Sequence, residues 1–267
     1  MASESFLEKH DFLLRRLHSL SGLIPVGAYM VVHLLANASI LNGVDAFQNV
    51  VYMIHSLGNM LWLVEWLFIF LPILFHAALG FVFIFQAKHN TKRYPFMGNY
   101  RYRLQRITGI VAFLFIFWHV LHLNGIIHAE WFRATVADGL GIARFRPYNA
   151  ASTAAEALQS PLISALYTIG LLACVFHFAN GLWTMGITWG VWLTPRAQAL
   201  ASHICLGLGA VVAVIGLSAM AGFWNVDVNK ARERELEMYR QRVLDGSILE
   251  NPHKLSRPLE DQPSNGH

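Results

Sequence analysis

The sequence predicts an all-α membrane protein built on five transmembrane helices. Of its 267 residues, 55% are hydrophobic and only 13% are Asp, Glu, Lys or Arg, with a mean hydropathy of +0.42. Soluble domains carry about 25% charged residues, and half that share cannot coat a globule of this size. The apolar residues are gathered into five solid runs, each long enough for the roughly 20 helical residues that cross a hydrocarbon core. A membrane barrel would instead alternate apolar and polar positions over ~10-residue segments. Cys174 and Cys205 lie inside these runs and form no disulfide framework and no Cys-x-x-Cys pair. The net charge of +4 comes from short basic loops, a pattern of membrane topology and not of nucleic-acid binding.

In chain order, residues 1–16 are expected as a cytoplasmic N-terminal segment. Residues 17–224 form the transmembrane domain, and residues 225–267 a polar C-terminal tail. Span one is expected at about Leu17–Leu41. It is not a cleaved signal peptide, despite Ala36-Asn37-Ala38: its apolar stretch exceeds the usual ~7–15 residues and already carries a histidine. Spans two to five follow at about Met60–Ala87, Leu104–Ile127, Pro161–Trp192 and Ala199–Trp224. Pro25 and Pro72 are expected to kink spans one and two. Trp62, Trp66, Trp131, Trp189, Trp192 and Trp224 fit aromatic belts at the interfaces. The tail reads as one short helix, about Asn229–Leu244, ended by Gly246 and followed by a disordered polar end.

Lys and Arg set the orientation. Lys9, Arg15 and Arg16 precede span one, and Lys88, Lys92, Arg93, Arg101, Arg103 and Arg106 lie between spans two and three. The loop from Asn42 to Asn59 has no Lys or Arg, and the loop before Pro161 has Arg133, Arg144 and Arg146. The positive-inside rule places the N-terminus in the cytoplasm. The tail holds seven Lys and Arg against eight Asp and Glu, and distant tail charges count for little.

Histidine is the unusual residue. There are 13, and His33, His76, His119 and His177 each stand about midway along one of the first four spans. One such histidine is an ordinary helix–helix hydrogen-bonding group. Four at matching depth, one per helix, call for a common purpose, because each is costly to place in hydrocarbon. Imidazole is the usual axial ligand of b-type haem, and ligation on both faces leaves an iron that only passes electrons. Four ligands on four helices make two haems.

The pairing follows from a repeat. Arg16-Leu17-His18-Ser19-Leu20-Ser21-Gly22 is echoed by Arg103-Leu104-Gln105-Arg106-Ile107-Thr108-Gly109, both Arg-Leu-x-x-apolar-Ser/Thr-Gly at the start of an odd span. His33 and His119 follow those glycines by 11 and 10 residues, about three turns, or ~15 Å of helix. The even spans share His-x-x-x-Gly, at His76 with Gly80 and His177 with Gly181. The expected pairs are therefore His33 with His119 and His76 with His177, in a four-helix bundle around two stacked b haems. Glycines one turn from a ligand leave room for a flat macrocycle, and Gly22 and Gly109 are expected to pack on the haem of the even pair or simply to let helices approach.

Other polar residues need partners. Arg16, His18, Ser19, Gln105 and Arg106 are expected near the cytoplasmic haem edge, where donors offset propionate charge. Glu65, between Val64 and Trp66, is a candidate proton acceptor for a quinone or quinol at the outer haem; interfacial solvation is its alternative role. His55, His122, His128 and His203 lie near span ends and read as interfacial.

These residues match a known pattern. Arg15-Arg16-Leu17-His18-Ser19 with Ile24-Pro25-Val26-Gly27, Phe70-Leu71-Pro72 with His76-Ala77, and Arg103-Leu104-Gln105-Arg106 carry its first half. Trp118-His119-Val120, Phe176-His177-Phe178 with Asn180-Gly181-Leu182-Trp183, and Thr188-Trp189-Gly190 with Thr194-Pro195-Arg196 carry the second. In this the chain resembles the dihaem cytochrome b anchor subunits of the succinate:quinone oxidoreductases, of the Bacillus-like type, over roughly Phe12–Arg196. The resemblance implies a multi-pass subunit of a bacterial cytoplasmic membrane, not catalytic alone, in a succinate dehydrogenase. It implies flavoprotein and iron–sulfur partner subunits on the cytoplasmic face, with electrons passing through two bis-histidine haems to menaquinone or another quinone. It also implies that His76 and His177 hold the haem nearer the iron–sulfur subunit and His33 and His119 the distal one. Some related quinol:fumarate reductases carry a glutamate two residues before the fourth-span ligand for transmembrane proton return; that position is Val175 here. The competing readings are a cytochrome b subunit of another respiratory dehydrogenase, and a non-haem transporter relaying protons through histidines.

Overall fold

The computed structural model describes residues 6–87, 91–125 and 133–256. Among these residues every regular element is a helix, and five helices are long and apolar enough to cross a membrane: Asp11–Asn42, Met60–Phe85, Met97–Asn124, Pro161–Thr188 and Pro195–Trp224. These are the five expected spans with adjusted ends. Spans one and three begin earlier than the apolar runs do, at Asp11 and Met97, and so take in their basic flanks. Span four stops at Thr188, since Gly190 turns the chain in the left-handed region (φ +71°), and span five then opens on Pro195. Val32, Phe68, Leu74, Leu206 and Val214 are each more than half exposed, an apolar surface suited to lipid and not to water. Lys88, His128 and Trp131 lie outside the described residues, as does the tail beyond Ser256.

The expected kinks have a specific form. In span one, residues Gly22–Gly27 make a widened turn around Pro25, and in span two Trp66–Phe70 make another just ahead of Pro72. A proline has no N–H and its ring crowds the carbonyl four residues back; a wider turn moves that carbonyl aside without breaking the helix.

The chain forms two compact units. The first gathers Met1–Leu35, Asn59–Ile116 and Leu166–Leu217. Its helices close on small residues: Phe178 sits against Gly27, Leu171 against Gly216, and Ala179 against Gly209. Phe115 lies over Gly170 and meets the Tyr167 ring edge-on at 5.4 Å. Arg101 ties three spans together. Its Nε donates to Asn180 Oδ1 (2.9 Å), one Nη donates to Ser202 Oγ (2.7 Å), and its guanidinium lies 3.9 Å over the Trp183 ring.

The second unit gathers Ala36–Gly58, Phe117–Ala165 and Ser218–His267. The loop from Asn42 to Asn59 holds a helix, Val44–His55, whose Phe47, Gln48, Val51 and Tyr52 are buried. It packs with the short helix Ala150–Leu158 and with the tail helix Val228–Leu244, which matches its expected extent. Tyr52, Tyr148, Met238 and Tyr239 form the apolar centre. Polar groups lock it. The fully buried Glu235 accepts from the N–H groups of Ala151 (2.6 Å) and Ser152 (3.2 Å) and from Ser152 Oγ, so a tail carboxylate caps the Ala150–Leu158 helix. Burial raises the Glu235 pKa, and these donors oppose the rise. Gln48 donates to Pro147 O and accepts from Ala150 N, Arg232 pairs with Glu156 at 2.8 Å, and Arg234 grips Asp45 and holds its carboxyl below the usual range. The chain just past Gly246 is ordered as far as Ser256 instead of starting a disordered end: Tyr239 OH accepts from Asn251 N and Asn149 Oδ1 from Ser256 N.

Candidate functional site

The site is built from span two and span four, each set against the start of an odd span. His76 stands ten residues beyond the start of span two's wide turn, and His177 midway along span four. Their ring centroids are 6.1 Å apart with planes at 87°. Each has its Nδ1 on a backbone carbonyl: His76 on His18 O (2.9 Å) and His177 on Gln105 O (3.0 Å). A carbonyl only accepts, so each Nδ1 carries the proton and each Nε2 keeps its lone pair, the tautomer that a metal ligand needs.

A haem iron fits this donor pair. Both imidazoles are in the neutral, Nδ1-protonated form whose Nε2 lone pair a haem iron takes. Among the described residues no group of three or more His, Cys, Asp and Glu side chains gathers to hold a metal.

The five expected propionate partners divide. Arg16 lies over the rings of Phe12 (4.2 Å) and Trp189 (5.2 Å), and Arg106 lies over Tyr102 at 3.3 Å while donating to Tyr102 O. The Nε atoms of both are buried without a hydrogen-bond partner. These are donors ready for an anionic group. Ser19 donates to Arg16 O and accepts from Trp189 Nε1. His18 is stacked on His76, ring centroids 4.0 Å apart and planes at 11°, with its Nδ1 unpartnered. Gln105 is engaged: its Nε2 donates to His177 O (3.0 Å) and its Oε1 accepts from Asn180 Nδ2 (2.8 Å). Thus His18 stands against the His76 ring and Gln105 against His177.

His33 belongs to the first unit, where its ring stacks with Tyr29 at 5.6 Å, and His119 to the second. Glu65 ends the helical turn before span two's widened segment and is half-buried. Trp62 and Trp66, whose rings are 6.2 Å apart, border it in sequence. His122, expected at the interface, is instead buried, stacked on Trp118 at 5.0 Å. The returning chain covers that end of span three: Ala143, Arg144 and Phe145 N–H groups donate to the carbonyls of Leu121, His122 and Leu123. These are the terminal carbonyls a helix leaves without intrahelical partners. The carbonyls of His18 and Gln105 are functional groups that no side-chain pattern names; the Arg-Leu repeat was the one sequence signal marking them.

Comparison with known proteins places the chain. The family model described as succinate dehydrogenase/fumarate reductase transmembrane subunit matches residues 87–217. The succinate dehydrogenase cytochrome b558 subunit of Bacillus subtilis (strain 168) is 35% identical over 213 residues, covering 80% of this chain and 97% of that protein.

Proposed function

This chain belongs to the family of succinate dehydrogenase/fumarate reductase transmembrane subunits, a membrane-anchoring cytochrome b, and on that premise we propose that it conducts electrons between a docked iron–sulfur subunit and a quinone. The observation that carries this reading is the facing pair His76 and His177, 6.1 Å apart, each with Nδ1 occupied and Nε2 free to ligate. His76 and His177 would hold a b haem, which would supply a one-electron iron couple. His33 and His119 are the second ligand pair, supported by their matched spacing of 11 and 10 residues from Gly22 and Gly109. Arg16 and Arg106 offer their unpaired Nε donors to propionates, and His18 its unpartnered Nδ1; Ser19 lies beside Arg16, while Gln105 is held on His177 O and Asn180. Glu65 holds or delivers the proton that quinone chemistry requires at the other end of the bundle. Menaquinone is the expected partner, the membrane is the bacterial cytoplasmic membrane, and the N-terminus is cytoplasmic, where the flavoprotein and iron–sulfur subunits dock.

The basic segment before and within the start of span three is the docking face. Arg103 is exposed, whereas Arg101 is committed to Asn180 and Ser202. Arg103→Glu is expected to weaken assembly and make it salt-sensitive, while both haems stay bound. Co-purification of the succinate-oxidising subunits across a salt series checks this. A complex that is unchanged at every ionic strength means that the partner docks elsewhere.

A further inference from the structure

The sequence repeat has a geometric meaning in the first unit. Position three of Arg-Leu-x-x-apolar-Ser/Thr-Gly supplies the carbonyl on which an even-span ligand rests: His18 for His76, Gln105 for His177. Position six is a hydroxyl residue beside that carbonyl: Ser21 Oγ donates to His18 O at 2.9 Å, whereas Thr108 Oγ1 donates to Leu104 O at 2.8 Å and stands 3.3 Å from Gln105 O. Position seven is the glycine, one turn above the carbonyl. A Cβ on Gly22 would overlap the His76 ring at Cε1, and one on Gly109 would stand 2.9 Å from His177 Cε1. The even spans answer in kind. A Cβ on Gly80 would lie 3.3 Å from His18 Cε1, and one on Gly181 3.4 Å from Gln105 Nε2. The glycine of His-x-x-x-Gly thus faces the side chain of position three, and the two motifs are halves of one seat, present twice.

We propose that Gly22 and Gly109 are positioning residues for the two axial ligands of a single haem. Their missing side chains let each imidazole descend onto a helix carbonyl, which fixes its Nδ1 proton and aims its Nε2. The proposal rests on the reading of His76 and His177 as a ligand pair. A methyl group at either glycine lifts the ring off its carbonyl. The obstacle is an imidazole held on its own helix, so it cannot swing away as a long flexible side chain would. Loss of an outer hydrogen-bond partner typically weakens metal binding 10–100-fold.

The test is the assembled complex carrying Gly22→Ala, Gly109→Ala, His76→Ala or, as a control, Gly207→Ala, where a Cβ meets nothing within 4 Å. Low-spin haem signals by electron paramagnetic resonance, redox titration and haem per chain are read for each. Gly22→Ala is expected to convert one haem to high-spin or lose it, with the other haem's signal and potential unmoved. Gly109→Ala, with its looser clearance, perturbs the same haem to a smaller degree and is the informative variant if Gly22→Ala does not accumulate. Gly207→Ala leaves both haems as they were. Unchanged spectra in both glycine variants, with one haem lost in His76→Ala, overturn the seat while the ligand reading stands. Equal loss of both haem signals in the glycine variants also overturns it, in favour of general helix packing. Two intact haems in His76→Ala overturn the ligand reading and the seat together.

Discussion

Replacing His177 by alanine is expected to remove one b haem from the assembled complex and leave the other bound. On the proposed reading His177 shares one iron with His76, whose ring centre lies 6.1 Å from its own. With His177 gone, an iron at that place keeps one protein ligand, and the Gln105 carbonyl loses the imidazole it anchors. Five-coordinate iron is high-spin and weakly retained, so haem per chain falls by about half. The same loss follows from His76→Ala, because both residues serve one group, and from neither substitution should the pair assigned to His33 and His119 suffer. A proton-relaying transporter without haem predicts no spectral change at all. Difference spectra of membranes from His177→Ala against the parent chain check the expectation.

Glu65→Gln is expected to lower quinone turnover by about 10²–10⁴-fold, the usual contribution of a general acid–base group, while succinate still reduces both haems. The argument is positional. Glu65 precedes His76 by 11 residues, which is ~16 Å along a helix and well away from the Arg-Leu repeat. It sits half-buried beside a widened turn, and the aromatic residues Trp62 and Trp66 flank it in sequence. Glutamine keeps the size and polarity of the side chain but carries no transferable proton. Separate assays of haem reduction by succinate and of quinone reduction divide the two steps. Full quinone reductase activity in the variant assigns Glu65 to interfacial solvation and moves the search to the helix Val44–His55 and its flanks.

The spans, the tail helix and the pairing motifs were legible because apolar runs and motif spacings are written in side chains. Pro25 and Pro72 announced irregular turns for the same reason. The helix Val44–His55 was not legible: it is short, and Gln48, the most deeply buried of its side chains, is polar and satisfied only by backbone groups a hundred residues away. Glu235 poses the same difficulty, an acidic residue on a charged tail helix whose partners are the N–H groups of Ala151 and Ser152. Gly22 and Gly109 stand out by their spacing, which reads as room for a macrocycle or for close helix approach; the structure adds that the His76 and His177 rings lie where their side chains would stand. Carbonyls are common to every residue, so a site built on them leaves only its glycines in the sequence.

The measurement that bears most directly on the whole account is haem per chain in the purified complex, by pyridine haemochrome, read together with spin state. With four mid-span histidines acting as two ligand pairs, the proposed function predicts two b haems for each copy of this chain, both six-coordinate and low-spin. A ratio near one, or a predominantly high-spin ferric signal, contradicts it.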